Sequence, residues 1–393
     1  MLVYNKEIMA EIFCDATEKL CIHSAVNDLN KDLSKVAGKT AQVKKYLPVE
    51  ESGIVLVGTL SNPEFSRFLS ERNIDVSITS DQWEYYHMRT FGDNNENLLI
   101  CGSDDRGTMW GIYDFCKNEL GVDPLYYWTD NEPLQKEMLL IEHVDRVDGP
   151  KTYKFRGWFI NDEDYLTGWK SGGGKRYAKY NHYHQVVHAD IIENVIETAL
   201  RLKQNLMIPA SLLNIDNPAE ENLVRMVTER GMYVTQHHIE PLGVSHFSWE
   251  NFWEARNVQV ETSFVTQKER YIEIWTHYAK KWSKYENVIW QLGLRGRGDR
   301  PVWYHDSSVP PTMEDRGKLI SSAIATQFEI VKKVLGHSDF LSTTTLWMEG
   351  AQLHRQGYLN FPDSTAIVFC DHGCAQMWEE DFYTTPRDRE NSI

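Results

Sequence analysis

Five short polar stretches stand out between residues 161 and 372: Asn161-Asp-Glu-Asp164, His237-His-Ile-Glu240, Arg295-Gly-Arg-Gly-Asp-Arg300, Glu349 and Asp371-His372. Each follows an apolar segment of strand length. Several carboxylates converging on one cleft suit glycosidic hydrolysis, in which one carboxylic acid protonates the leaving oxygen and another carboxylate activates water or attacks carbon. The same side chains offer donors for a divalent metal, namely Asp162, His237, His238, Glu240, Asp299 and Asp371. None of them forms an HExxH or comparably spaced helical pair, so no metal and no other cofactor is expected.

Arg295 and Arg297, separated and followed by glycine, place two guanidiniums where the backbone allows close approach. On an otherwise acidic protein this suits bidentate recognition of a carboxylate, although the pair could instead only neutralise Asp299 and nearby glutamates. Trp158, Tyr165, Trp169, Trp303 and Tyr304 flank these stretches and offer faces on which sugar rings stack. Most aromatics in any chain are core, so they serve only as support. Asn161–Asp164 has a plainer reading as a helix cap or solvated loop. Ser171-Gly-Gly-Gly-Lys175 lacks the spacing of a phosphate loop and reads as a mobile substrate loop.

The elements that position these residues follow from periodicity. Near the N-terminus, apolar residues at three- and four-residue spacing predict a helix over Ile22–Val36, and the unbroken apolar run Gly53–Gly58 predicts a strand covered on both faces. A helix over Glu64–Glu71, strands over Glu84–Thr90 and Asn97–Cys101, and an apolar helix after Asp105 complete a small α/β domain. Leu134–Val147 reads as a connecting strand and Asp148-Gly-Pro150 as punctuation, which gives domains 1–150 and 151–393.

Beyond Lys154 six strands are predicted, over Lys154–Asn161, Asn205–Pro209, Met232–Gln236, Val288–Gly293, Leu341–Trp347 and Thr365–Cys370. Helices are predicted between them over Ala189–Lys203, Pro218–Arg230, Phe264–Trp282, Arg316–Leu335 and near Gly350–Gln356. Repeated βα units imply a parallel sheet, and a (β/α)8 TIM barrel is the expected architecture, truncated after about six strands. Catalytic side chains of such barrels lie at the C-terminal ends of the strands, where the five polar stretches fall.

Composition sets bounds. The 393 residues, 41% hydrophobic and 25% charged, describe an ordinary globular chain of two or three domains. A formal net charge of −16 argues against a nucleic-acid partner, whose backbone demands a positive field. No apolar run approaches the roughly 20 residues that span a bilayer, so no membrane association is expected. The six cysteines lack a paired CxxC pattern and read as free thiols. The N-terminal segment shows no basic region before a long apolar stretch, so a cytoplasmic location is expected unless the start is incomplete.

Four segments together carry a resemblance: Cys101-Gly-Ser-Asp-Asp-Arg-Gly-Thr-Met-Trp-Gly-Ile-Tyr-Asp114, Arg156-Gly-Trp-Phe-Ile-Asn-Asp-Glu-Asp164, His237-His-Ile-Glu-Pro241 and Gly293-Leu-Arg-Gly-Arg-Gly-Asp299. In this order they resemble glycoside hydrolase family 115, the xylan α-1,2-glucuronidases. The resemblance implies a small N-terminal α/β domain, a catalytic barrel and further C-terminal domains. It implies removal of glucuronic acid or its 4-O-methyl ether from xylan, with inversion and without a metal. Carried across by position, it places Asp162, Arg295, Asp299 and Glu349 in the active site, with His237 and His238 beside them. Glu349 is then the expected general acid, Asp299 the base with Asp162 its rival, and Arg295 the partner of the uronate carboxylate. Asn161, Trp169 and Asp371 complete the expected substrate contacts. The expected partners are glucuronoxylan or aldouronic oligosaccharides.

Two departures accompany the resemblance. Cys370-Asp371-His372 stands where the family usually carries two acidic residues and an asparagine. The chain also ends at Ile393, where further barrel strands are expected, which makes it about half of a typical member. The expectation is a fragment of a longer gene, or a split or degenerate enzyme that needs a C-terminal portion or another copy of itself. The competing expectation is a carbohydrate-binding remnant without catalysis.

Overall fold

The structure, a computed structural model, describes residues 1–50, 52–161, 163–180 and 184–370, without the side chains of Glu163 and Asp164. Among the expected site residues, Asp162 and Asp371 lie outside the described residues, as does Cys374. The chain divides into two compact units. The first comprises Met1–Gly157, Glu193–Asn205 and Glu229–Met232; the second comprises Trp158–Ile192, Leu206–Thr228 and Tyr233–Ile393.

The first unit carries β1 (Leu2–Tyr4), β2 (Glu11–Cys14), α1 (Leu20–Ala37), β3 (Val43–Lys44), β4 (Ile54–Thr59), α2 (Pro63–Glu71), β5 (Tyr86–Phe91), β6 (Asn97–Gly102), α3 (Asp105–Phe115), α4 (Tyr126–Thr129), β7 (Leu139–Leu140) and β8 (Asp145–Asp148). Six strands form a sheet in the order β3-β2-β4-β6-β5-β8. Strand β4 is buried at all six residues, as its unbroken apolar run predicts for a central strand. The long connecting strand predicted over Leu134–Val147 is instead two short ones, β7 and β8, paired with different partners. The glycines of the Cys101–Asp114 segment serve packing. A Cβ on Gly102 would lie 2.0 Å from the Thr108 backbone nitrogen, so only glycine lets β6 turn this closely into α3. Asp104 then caps α3 by accepting the Gly107 N–H at 2.7 Å.

Buried ion pairs bind the later segments into this unit. Arg201 makes a bidentate pair with Asp32 at 2.8 and 2.9 Å, while Arg230 bonds Asp28 at 2.5 Å and the Tyr113 hydroxyl at 2.9 Å. The five cysteines among the described residues are free thiols.

In the second unit β9 (Gly157–Phe159), β10 (Leu206–Ile208), β11 (Tyr233–Thr235), β12 (Val288–Leu292), β13 (Ser342–Leu346) and β14 (Thr365–Phe369) lie side by side in chain order. The pairings from β10 to β14 are all parallel. Between and beyond them in the chain run α5 (Glu163–Thr167), α6 (Ala189–Arg201), which belongs to the first unit from Glu193 onward, α7 (Pro218–Glu229), α8 (His246–Glu254), α9 (Lys268–Trp282), α10 (Met313–Leu335) and α11 (Glu349–Arg355). Helix α10 starts on Thr312, whose hydroxyl accepts the Asp315 N–H, and stops at Gly336 in the left-handed conformation. The result is a mixed α/β fold with a parallel half-barrel sheet.

Candidate active site

Three consecutive strands deliver the polar stretches to one place. Strand β11 runs into His237 and His238, β12 into the Gly293–Arg300 loop, and β13 into Glu349 at the first turn of α11. The β12 loop is fixed at its root by the fully buried Gln327 of α10, which accepts the Gly293 N–H at 2.8 Å and donates to its carbonyl at 2.7 Å. At the loop's far end Gly296 N–H bonds the Arg300 carbonyl at 2.8 Å, closing a tight turn in which Asp299 adopts φ 56°. Aspartate tolerates that left-handed conformation better than most residues.

Arg295 holds the site together. Its Nε donates to Asp299 Oδ1, its Nη1 to Glu349 Oε1, and its Nη2 to the Asp299 carbonyl at 2.8 Å. A guanidinium carries five N–H donors, so two remain after these three bonds. His238 Nε2 reaches the same Asp299 Oδ1 at 2.9 Å. One carboxylate oxygen thus collects both partners. Glu349 Oε2 is buried with no hydrogen-bond partner, so it has no bond to give up when a group enters the site.

Burial alone would raise the Asp299 carboxyl pKa, but the hydrogen bonds and charges of His238 and Arg295 outweigh it and hold it below the usual value. His237 is displaced in the opposite sense. Burial, with the neighbouring His238 and Arg295, lowers it to about 3 against the pull of Asp299, so its ring stays neutral. Its ring packs edge-on to His238 at 4.2 Å and against Phe159 at 4.6 Å.

Glu240 serves the backbone of a neighbouring loop. Its carboxylate accepts the backbone N–H groups of Leu212 and of Leu213, the latter at 3.1 Å, and is only 1% exposed. It pins the segment after β10, where Leu212 has φ 57° and Ser211 donates to Asn161 Oδ1 at 3.0 Å. Among the described residues no group of three or more His, Cys, Asp or Glu side chains could hold a metal ion.

The structure therefore gathers His237, His238, Arg295, Asp299 and Glu349. Asn161 stands at the end of β9, bonded to Ser211. Trp169 follows α5 with 62% of its surface exposed. Arg297 pairs with Glu250 at 3.4 Å. Two contributors escaped the sequence reading. Trp347 lies 6.2 Å from the His238 ring. Met348 takes φ 49°, ψ −109° just before Glu349, a backbone state costing about 1–3 kcal/mol that tends to cluster at functional sites. Neither a tryptophan nor a methionine in a loop signals such a role.

Comparison with known proteins adds family evidence. The family model for glycosyl hydrolase family 115 matches residues 148–392. No curated protein matches the sequence. Among solved structures, a family GH115 4-O-methyl-α-glucuronidase, BtGH115A, with specificity for decorated arabinogalactans, is similar with a TM-score of 0.74 and 22% identity over 92% of this chain. A GH138 enzyme targeting pectin rhamnogalacturonan II is similar with a TM-score of 0.51 and 13% identity over 91% of this chain. The chain spans 45% of the first of these proteins and 37% of the second.

Proposed function

The chain belongs to glycosyl hydrolase family 115, and on that premise we propose that it contributes the acid/base centre that removes glucuronic acid, or its 4-O-methyl ether, from the side chains of plant polysaccharides. The observation that carries this reading is the Arg295 guanidinium bridging Asp299 and Glu349. Two carboxylates meeting on one cation, with Asp299 held ionised, support an acid/base pair of the kind glycosidic hydrolysis uses.

In this reading the Glu349 carboxylic acid protonates the leaving glycosidic oxygen through its unpartnered Oε2, and ionised Asp299 takes a proton from the attacking water. Because His238 and Arg295 occupy Oδ1, the basic lone pairs left are those of Asp299 Oδ2. Inversion needs acid and base separated by roughly 6.5–9.5 Å so that water fits between them. Asp162 is the rival base. Arg295 has two N–H groups left for the uronate carboxylate, so it both organises the acid/base pair and recognises the substrate's charge. His237, His238, Asn161, Trp169 and Asp371 are proposed to contact the sugar.

The parallel half-barrel supports a TIM-barrel assignment, with this chain providing its first six strands. Glucuronoxylan and decorated arabinogalactan are the two candidate substrates, the latter because the similar structure belongs to an enzyme specific for it. The test is glucuronate release from each polysaccharide by the protein and by Glu349→Gln. Release that survives the substitution unchanged removes the assigned acid.

A further inference from the structure

A cavity of about 500 Å³ is lined in part by the loop that carries Arg295 and Asp299. Its size falls in the range of roughly 300–1,000 Å³ typical of small-molecule sites. Three carboxylates, Glu250, Glu261 and Asp306, and three guanidiniums, Arg295, Arg297 and Arg300, line it. Their formal charges cancel, so the cavity has no net preference for an anion or a cation. What it offers is interleaved acceptors and donors, which a ring of hydroxyl groups, each both donor and acceptor, can satisfy together.

Three further features fit a hydroxylated ring. Phe264 and Tyr271 supply apolar wall against which C–H faces pack. His246, also in the lining, is lowered to about 4 by burial and by the nearby Arg297, so it remains a neutral imidazole that can both donate and accept. Gly298 lines the cavity at φ 65°, and a Cβ built on it would meet nothing within 4 Å, so the loop presents bare backbone to open space.

We propose that this cavity is a subsite for neutral sugar, holding the polysaccharide residues next to the one that bears the uronate. The proposal rests on the function argued above, since only a side-chain-cleaving hydrolase needs its neutral main chain held while a charged branch is cut. Arg295 lines the cavity and also bonds Asp299 and Glu349, so it links the subsite to the proposed acid/base pair.

The test uses the full chain and two neutral probes, xylotriose and a β-linked galactotriose, titrated calorimetrically. At least one should bind, and His246→Gln and Glu261→Gln should each weaken it about tenfold or more. Glu261 is exposed, so its substitution guards against loss of folding in the variant at the half-buried His246. Which trisaccharide binds identifies the carrier chain. Absence of binding by both, or affinity unaffected by either cavity substitution, overturns the subsite. Hydrolysis of an aryl α-glucuronide by the wild-type chain is scored separately: its failure with trisaccharide binding intact removes the proposed function and leaves the subsite standing.

Discussion

His238 and Asp299 are joined side chain to side chain, Nε2 to Oδ1 at 2.9 Å, across 61 positions of sequence. The contact assigns His238 a positioning role: it orients the carboxylate and, with Arg295, keeps it ionised. The base of a hydrolase acts in its charged form, so activity falls as pH drops through its pKa. His238→Asn removes a group that lowers that pKa, and the acid limb of the kcat/KM profile should move to higher pH. A general loss of activity with an unmoved acid limb would show that His238 serves only packing or substrate contact.

His237 gives a stability prediction of defined sign. Its folded pKa of about 3 lies below the roughly 6.5 of an unfolded histidine, so at acid pH the unfolded chain binds the proton that the folded chain refuses. Its penalty is absent above the unfolded pKa and grows as pH falls towards the folded one, by up to about 1.4 kcal/mol per pH unit. His237→Gln should flatten the decline of denaturation midpoint between pH 6.5 and pH 4. An unchanged slope would place the acid sensitivity elsewhere.

Glu240→Ala should destabilise the fold without touching the acid/base pair. The substitution leaves the Leu212 and Leu213 N–H groups buried without their acceptor, each costing about 1–3 kcal/mol. A lowered midpoint in urea is the expected result, and a Glu240→Gln variant should recover part of it because its amide oxygen still accepts one bond. Equal stability of all three proteins would contradict the anchoring role.

Arg295→Ala separates two roles of one guanidinium. If the remaining N–H pair binds the uronate carboxylate, the loss should be larger on an aryl glucuronide than on the matched neutral glucoside, and Arg295→Lys should restore only part of it, since an ammonium lacks the planar fork. If Arg295 only organises Asp299 and Glu349, both substrates lose activity by the same factor.

How far the chain could be read from sequence depends on whether a residue's neighbours are local. Strand β4 and helix α10 were legible because their apolar periodicity directly reports two-sided and one-sided burial. Strand β2 was not: Glu11–Cys14 is four residues long and has no flanking turn signal. Helix α8 was also missed, although its buried Phe247, Trp249, Phe252 and Trp253 are interleaved with the polar Glu250, Asn251 and Glu254. In the site, Arg295 and Asp299 lie four apart in one glycine-rich loop, and their association could be suspected. The bond from His238 to Asp299 depends on β11 and β12 being neighbours in the sheet, and Glu240 looked like a ligand because the backbone amides it serves belong to another strand's loop.

The most direct measurement of the account is the configuration and rate of uronate release. Proton NMR of an α-linked glucuronide digest should show the β-anomer of glucuronic acid first, with the α-anomer growing only by mutarotation. Glu349→Gln and Asp299→Asn should each reduce kcat by roughly 10²–10⁴-fold, in keeping with loss of an acid or a base. Initial appearance of the α-anomer, or undiminished kcat in either variant, would contradict an inverting pair built from Asp299 and Glu349.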